Sequence, residues 1–337
     1  MLTKAHSMLA PLESAWRETS AADLRAFAVL AAFALLFAWE ARRGYRKTPP
    51  KTGRQSYLSN LGTFLLNDTL MSLMSVSSLL LLAEKASPKG VLDWIPQPAL
   101  KSVLSLLLFD LALYLWHRAN HTFDCLWMFH KVHHSDPSMN VSTAFRLHFV
   151  EVVFTTLVKA AFIMMTGAEA AMLLANEALI TVMVMFHHAN VRFKGERVLG
   201  WLVVVPRLHR VHHSTLRKEH DNNYGAVFSF WDRLFGSFAE GEPVTIGLKS
   251  VPGQGVFGLV RYGLTCAWTP APKMAKASAG SPSPQFLQSM IAEAAYYRAE
   301  KRGFAPGNDF VDWLEAEREI RTRLGGKGGP PNSSLAG

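Results

Sequence analysis

Apolar positions are gathered into long runs separated by short polar stretches. Five runs come close to the roughly 20 apolar residues that cross a bilayer. They are Leu24–Trp39, Leu58–Ala83, Leu100–Trp116, Phe149–Thr166 and Ala168–Phe186. The second is interrupted by Asn67 and Asp68, the third contains Asp110, and the last two form a hairpin hinged at Gly167. A further run, Leu199–Val205, is too short to span and belongs at the interface. The pattern predicts an all-α integral membrane fold of about four to five spanning helices. After Val251 it changes: residues 267–284 are rich in Pro, Ser and Lys, and residues 285–323 regain helical periodicity. The layout predicted is an N-terminal segment (1–23), a membrane domain (24–265), a linker (266–284), a small helical hairpin (285–323) broken at Gly303–Asn308, and a disordered tail (324–337). Asp309 is the expected N-cap of the last helix.

Composition narrows the class. Of 337 residues 49% are hydrophobic, and the net charge is +9. The basic residues are scattered among apolar spans and form no nucleic-acid module, so juxtamembrane charge is the better reading. The two cysteines, Cys125 and Cys266, exclude a disulfide framework and a cysteine-ligated cluster. The first run follows Glu13, Arg17, Glu18 and Asp23, too late and too acidic a start for a cleaved signal peptide. Residues 42–54 (RRGYRKTPPKTGR) carry six positive charges and no acid, which places them in the cytoplasm. Counting crossings from there brings the segments after Trp116 and after Phe186 to the same side.

Those segments are where the histidines are. Twelve of thirteen fall between residues 117 and 220. Ten form four tight motifs: His117 and His121 in HRANH, His130, His133 and His134 in HKVHH, the pair His187–His188, and His209, His212 and His213 in HRVHH. Neutral imidazole is the commonest metal ligand and suits iron, zinc and copper. Residues at i, i+3 and i+4 share a helix face, so each H-x-x-H-H motif is expected to offer up to three imidazoles to a common centre. One zinc closes with about four ligands; eight to ten nitrogens call for two metals. His188 is favoured as ligand and His187 is read as a further ligand or a support, since neighbours on a helix do not both point at one centre. His148 is read as ligand support or helix-end packing, and His220 and His6 as bystanders. Asp110, Asn120, Asp136, Glu151, Asn190 and Asp232 are candidates to orient the imidazoles, by nearness.

The combination WHRANH (116–121), FHKVHHS (129–135), STAFRLHFVE (142–151), FHHANV (186–191), HRVHHS (209–214) and DNNYGAVFSFWDRLFGSF (221–238) resembles the fatty acid hydroxylase/sterol desaturase superfamily over roughly residues 55–240. The resemblance implies a helical membrane fold and two iron ions under a cytoplasmic cap, with zinc as a substitute in isolated protein. It also implies O2-dependent hydroxylation or desaturation of a lipid. His187 departs from the family pattern, which leaves His188 favoured. Residues 290–320 resemble a short bacterial helical domain of uncharacterised function, and favour a bacterial inner membrane. No haem or flavin motif is present. GQGVFG at 253–258 lacks the strand–helix context of a dinucleotide site. A separate ferredoxin- or cytochrome-type electron donor is therefore expected. A metal-dependent hydrolase is disfavoured by the missing H-E-x-x-H and the surplus of ligands, and a metal carrier by the clustering of the histidines at helix ends.

Overall fold

The computed structural model describes residues 21–73, 79–86, 89–249, 251, 253–265 and 307–323, with scattered positions between 287 and 302. His6, most of the N-terminal segment, the segment read as a linker and the C-terminal tail lie outside the described residues. The chain divides into two compact units, Met1–Pro270 and Ala271–Gly337. Every regular element among the described residues is helical, apart from two isolated bridges, Val203–Phe228 and Ser214–Ile246.

Among the described residues four helices are long and apolar enough to cross a membrane. They are α1 (Ala21–Arg43), α4 (Pro98–Thr122), α6 (Phe149–Thr166) and α7 (Ala170–His188). The molecule is an all-α integral membrane protein. Helix α1 is longer than its apolar run. Asp23 sits in its first turn and Arg42 and Arg43 in its last, each sign matched to the helix dipole. Pro98 starts α4, where its missing N–H costs nothing. Helix α6 ends at Gly167 with φ 69°, a left-handed cap that donates its amide to the Ile163 carbonyl; this is the predicted hinge.

The second predicted span differs. Its helix, α2 (Pro50–Leu73), begins eight residues before Leu58 and is not among the four apolar helices. A separate short helix, α3 (Leu79–Ala86), follows. The reason is a polar stripe: Ser56, Ser59, Asn60, Thr63 and Asn67 recur every three or four residues and are all buried. Leu58, Leu61, Phe64 and Leu65 are exposed. The helix is polar inward and apolar outward, the reverse of a water-soluble helix and suited to lipid around a polar interior.

Two ends are defined by contacts. At one end Gly90 lies so close to the Thr166–Gly167 backbone that a Cβ would sit 2.2 Å from the Thr166 carbonyl carbon. There Lys101 pairs with Glu169 at 2.6 Å and Asp93 at 3.7 Å. At the other end Glu40 of α1 accepts the amides of Val141 and Asn190, and Tyr57 donates to it. Asn190 bonds Arg46 on both faces of its amide, and so ties the basic loop after α1 to the end of α7. All four histidine motifs lie at this second end. Between the ends the core is packed by Phe109, Leu113, Phe162, Ile163, Leu173 and Ile180.

In the second unit, helix α10 (Asp309–Arg323; α8 and α9 are placed below) starts one residue after Asn308. The Asn308 carbonyl accepts the Asp312 amide, so Asn308 takes the cap position expected of Asp309. Ala316 and Ile320 are buried with Ile291 and Ala295. Arg298 pairs with Glu315 and Glu319.

Candidate metal centre

The histidines arrive on four helix ends. HRANH closes α4, and HKVHH closes α5 (Asp124–His134). The 187–188 pair closes α7, and HRVHH occupies α8 (Pro206–His212) with His213 as its C-cap. Helix α5 is fastened from below. The buried Arg146 donates from Nε to the Val132 carbonyl and from Nη2 to Ser135 Oγ, covering the open end of the helix. Its partner in charge is Asp136, which accepts Ser56 Oγ, Asn60 Nδ2 and Thr143 Oγ1 within 2.9 Å. Burial raises the Asp136 carboxyl, but Arg146 and these donors outweigh it and hold it below the usual range. The polar stripe of α2 thus meets the segment that aims the histidines.

Nine imidazoles form two groups whose ligand atoms lie within 4.8 Å of one another. Group one holds His117, His121, His130, His134 and His212; group two holds His133, His188, His209 and His213. The expected sharing within a motif is corrected here. Each H-x-x-H-H motif is divided: His130 and His134 go to group one and His133 to group two, while His212 goes to group one and His209 and His213 to group two. The i+3 and i+4 side chains differ by about 100° around a helix, enough to face two centres when those centres are close. His187 stands in neither group, with its ring 3.9 Å from that of His209.

The nitrogens present themselves as ligands do. His121 and His134 face each other through Nε2 at 3.1 Å, His133 and His188 at 3.1 Å, and His209 and His188 at 3.0 Å. Two cis ligands, each about 2.1 Å from one ion, are about 3.0 Å apart. In five rings Nδ1 is held by an acceptor, which leaves Nε2 as the lone-pair nitrogen. His117 donates to the Tyr224 carbonyl (2.9 Å), His212 to the Asn222 carbonyl (2.7 Å) and His188 to the Val184 carbonyl (2.7 Å). His121 meets Asp221 Oδ1 (3.1 Å) and His130 meets Glu151 Oε1 (2.6 Å). Nε2 of His117, His130 and His212 is buried with no protein partner. Buried polar atoms are normally satisfied, so converging orphaned nitrogens fit a metal ion and little else. Burial, reinforced by the neighbouring imidazoles, holds His133, His134, His209, His212 and His213 well below the usual histidine range. They are neutral at pH 7, the form that binds metal.

Sequence reasoning missed part of the support. Asp221, Asn222 and Tyr224 each hold one imidazole of group one, and they belong to the DNNY stretch shortly after the fourth motif. Asn223 turns this loop through a left-handed φ of 57°. Its side chain pins the turn to the Leu208 and Ala239 carbonyls. The signal was present: an Asx-rich run ending in Gly that begins eight residues after His213. His220 is not remote, since its ring stacks on Trp127 and lies 5.9 Å from His121. His148 is a helix cap, accepting the Val150 amide at Nδ1 and donating Nε2–H to the Val260 carbonyl of α9 (Val256–Gly263). Of the six candidate supports, Glu151 touches a ligand. Asp136 and Asp232 act through the backbone around the site. Asn190 ties the loop after α1, Asn120 is buried on α4 beside His121, and Asp110 bonds a distant loop. Asp232 accepts the amides of Tyr224 and Gly225 and the hydroxyl of Ser237.

Residues 102–237, which contain all ten motif histidines, match the model of the fatty acid hydroxylase family. This region belongs to that family. Residues 287–322 match a family described only as a protein of unknown function, DUF2934. Among curated proteins, an ornithine lipid hydroxylase of Rhizobium tropici is 33% identical over 140 residues, 42% of each chain. Alkylglycerol monooxygenases of Xenopus tropicalis and Homo sapiens are each 31% identical. They cover 43% and 41% of this chain, and 32% and 31% of their own lengths. The chain thus matches well under half the length of these relatives. No solved structure matches it.

Proposed function

We propose that the chain is an O2-dependent lipid hydroxylase that works with two iron ions, one in each histidine group. The observation that carries this reading is the pair of adjacent, buried imidazole groups with lone-pair nitrogens turned inward. Iron bound there supplies the redox chemistry with O2 that an unactivated C–H bond requires. The balance is R–H + O2 + 2 electrons + 2 protons giving R–OH + H2O, so a separate ferredoxin- or cytochrome-type donor brings the electrons. The chain's own part is to hold neutral imidazoles in one tautomer and to keep water out by burial. The relatives' names place their reactions on an ornithine lipid and on alkylglycerols, and a membrane lipid is the substrate class assigned here. A cytoplasmic source of electrons and the basic 42–54 loop at the histidine end both favour a cytoplasmic face for that end.

The deciding experiment is lipidomics of a deletion strain and its complement grown under labelled O2. A product heavier by one oxygen, with the label incorporated, is expected. A shift of two hydrogens in its place would make the enzyme a desaturase, and no lipid change would sink the reading. Isolated protein should contain two metals per chain and be activated by Fe(II), even where zinc has replaced iron. One metal or none per chain would refute the two-metal site. In intact cells an impermeant thiol reagent should label a cysteine at Val91 and not one at Lys218; the reverse would invert the orientation.

A further inference from the structure

Asp110 sits deep in a spanning helix and takes no part in the histidine groups. Lys101, at the far end, is nine residues away, and His121 eleven, so the carboxylate lies about 14 Å and 17 Å from the two ends. A hydrocarbon core of about 30 Å places it near mid-depth. Its partners are not from a neighbouring spanning helix. They are the backbone amides of Val227 (2.8 Å) and Phe228 (3.0 Å) and the indole N–H of Trp231 (3.0 Å). Val227 is packed into the same core as Phe109 and Ile180. A non-helical segment that follows the last histidine motif therefore descends beside α4 to membrane depth. Irregular backbone survives there only when protein satisfies its polar groups, and Asp110 does so for two amides.

A second strand of chain goes with it. The Val204 amide bonds the Val227 carbonyl, and the Ser229 amide bonds the Leu202 carbonyl. Arg233 folds back on the pair, donating to the carbonyls of Gly200 and Ser229 and lying over the Trp201 ring. The outer side is apolar and bare: Val198 is 76% exposed, Trp201 70%, Leu202 57% and Leu234 67%. Leu108 and Leu115 of α4, which bracket Asp110 along the helix, are exposed as well.

We propose that residues 198–202 and 226–235 form a lip set into the hydrocarbon of the bilayer, with lipid chains as its partner and Asp110 as the residue that holds it at depth. The lip is continuous with the lipid-facing surface of α4, which is why lipid is assigned to it. The inference rests on the spanning helices alone and not on the hydroxylase reading.

The test is site-directed spin labelling in vesicles, in a background carrying Cys125→Ala and Cys266→Ala. Nitroxides at Trp201, Leu202 and Leu234 should collide with O2 far more than with a water-soluble nickel chelate, by a ratio at least tenfold that at Glu240. A chelate-accessible label at 201 and 234 overturns the proposal. Exclusion of both reagents, which would mean a protein neighbour, overturns it equally. Asp110→Ala should then raise chelate access at 201 several-fold, with Asp110→Asn, which keeps one acceptor, in between. Unchanged access in Asp110→Ala would remove Asp110 as the anchor.

Discussion

The two histidine groups share α5 and α8, with α4 serving only the first and α7 only the second, yet they are supported differently. In group one, four of five rings have Nδ1 on an acceptor outside the group: the carbonyls of Tyr224 and Asn222 and the carboxylates of Asp221 and Glu151. In group two only His188 has such a partner, and it is a carbonyl of its own helix. Nδ1 of His133, His209 and His213 is buried without a bond. A ring held at both nitrogens is fixed in tautomer and direction before metal arrives; a ring held only by packing is less so. On the two-metal proposal, group one is therefore a preformed site, and group two would be organised in larger part by an ion bound there.

The largest effects come from removing ligands. His134→Ala should cost group one its ion, and His213→Ala should cost group two its ion. Metal content should fall from two per chain to one, and turnover should be lost in both. Retained activity in either variant would show that the groups do not act together. Next come the braces. Asp221→Ala and Glu151→Gln should weaken metal binding in group one by about 10- to 100-fold and leave group two unaffected. Competition with a metal-sensitive dye reads this directly. Equal weakening of both ions would erase the distinction drawn between them.

Acid should act on both groups. His133, His134, His209, His212 and His213 titrate below the ordinary value in the folded chain, so the unfolded chain binds more protons as pH drops below about 6.5. Stability of the metal-free protein should be full above that pH and fall below it. The slope is up to about 1.4 kcal/mol per pH unit for each such histidine. Thermal denaturation in detergent between pH 7 and pH 5 measures it; a flat profile would contradict the burial. The smallest effect is kinetic. Chelator should strip the two ions in two phases a few-fold apart, group two first, and His134→Ala should remove the slower phase. A single phase would leave the two groups equivalent.

Much of this was legible in residue order. Long apolar runs locate α1, α4, α6 and α7, because a span's whole length must be apolar. Gly167 marks its hinge because only a left-handed residue closes that turn. Helix α2 was harder to read. A polar stripe buried inside a bundle lowers the apolar average, and nothing local tells whether Ser56 and Asn60 face water or Asp136. Nine of the ten histidines that spacing picks out come together in the two groups. Their division was not legible, since i+3 and i+4 neighbours share a face only for a distant target.

What the sequence by itself determined is the material: long apolar runs, a histidine-rich end to them, and the imidazole donors a metal needs. Those follow from periodicity and side-chain chemistry, which are local. Tertiary structure decided which nitrogen faces which centre, that His220 stacks beside the site, that Asp221, Asn222 and Tyr224 brace it, and that Asp110 holds a loop more than a hundred residues away. Each of these is a distance between groups far apart in the chain. Such distances are fixed only when helices pack and buried polar atoms must find partners.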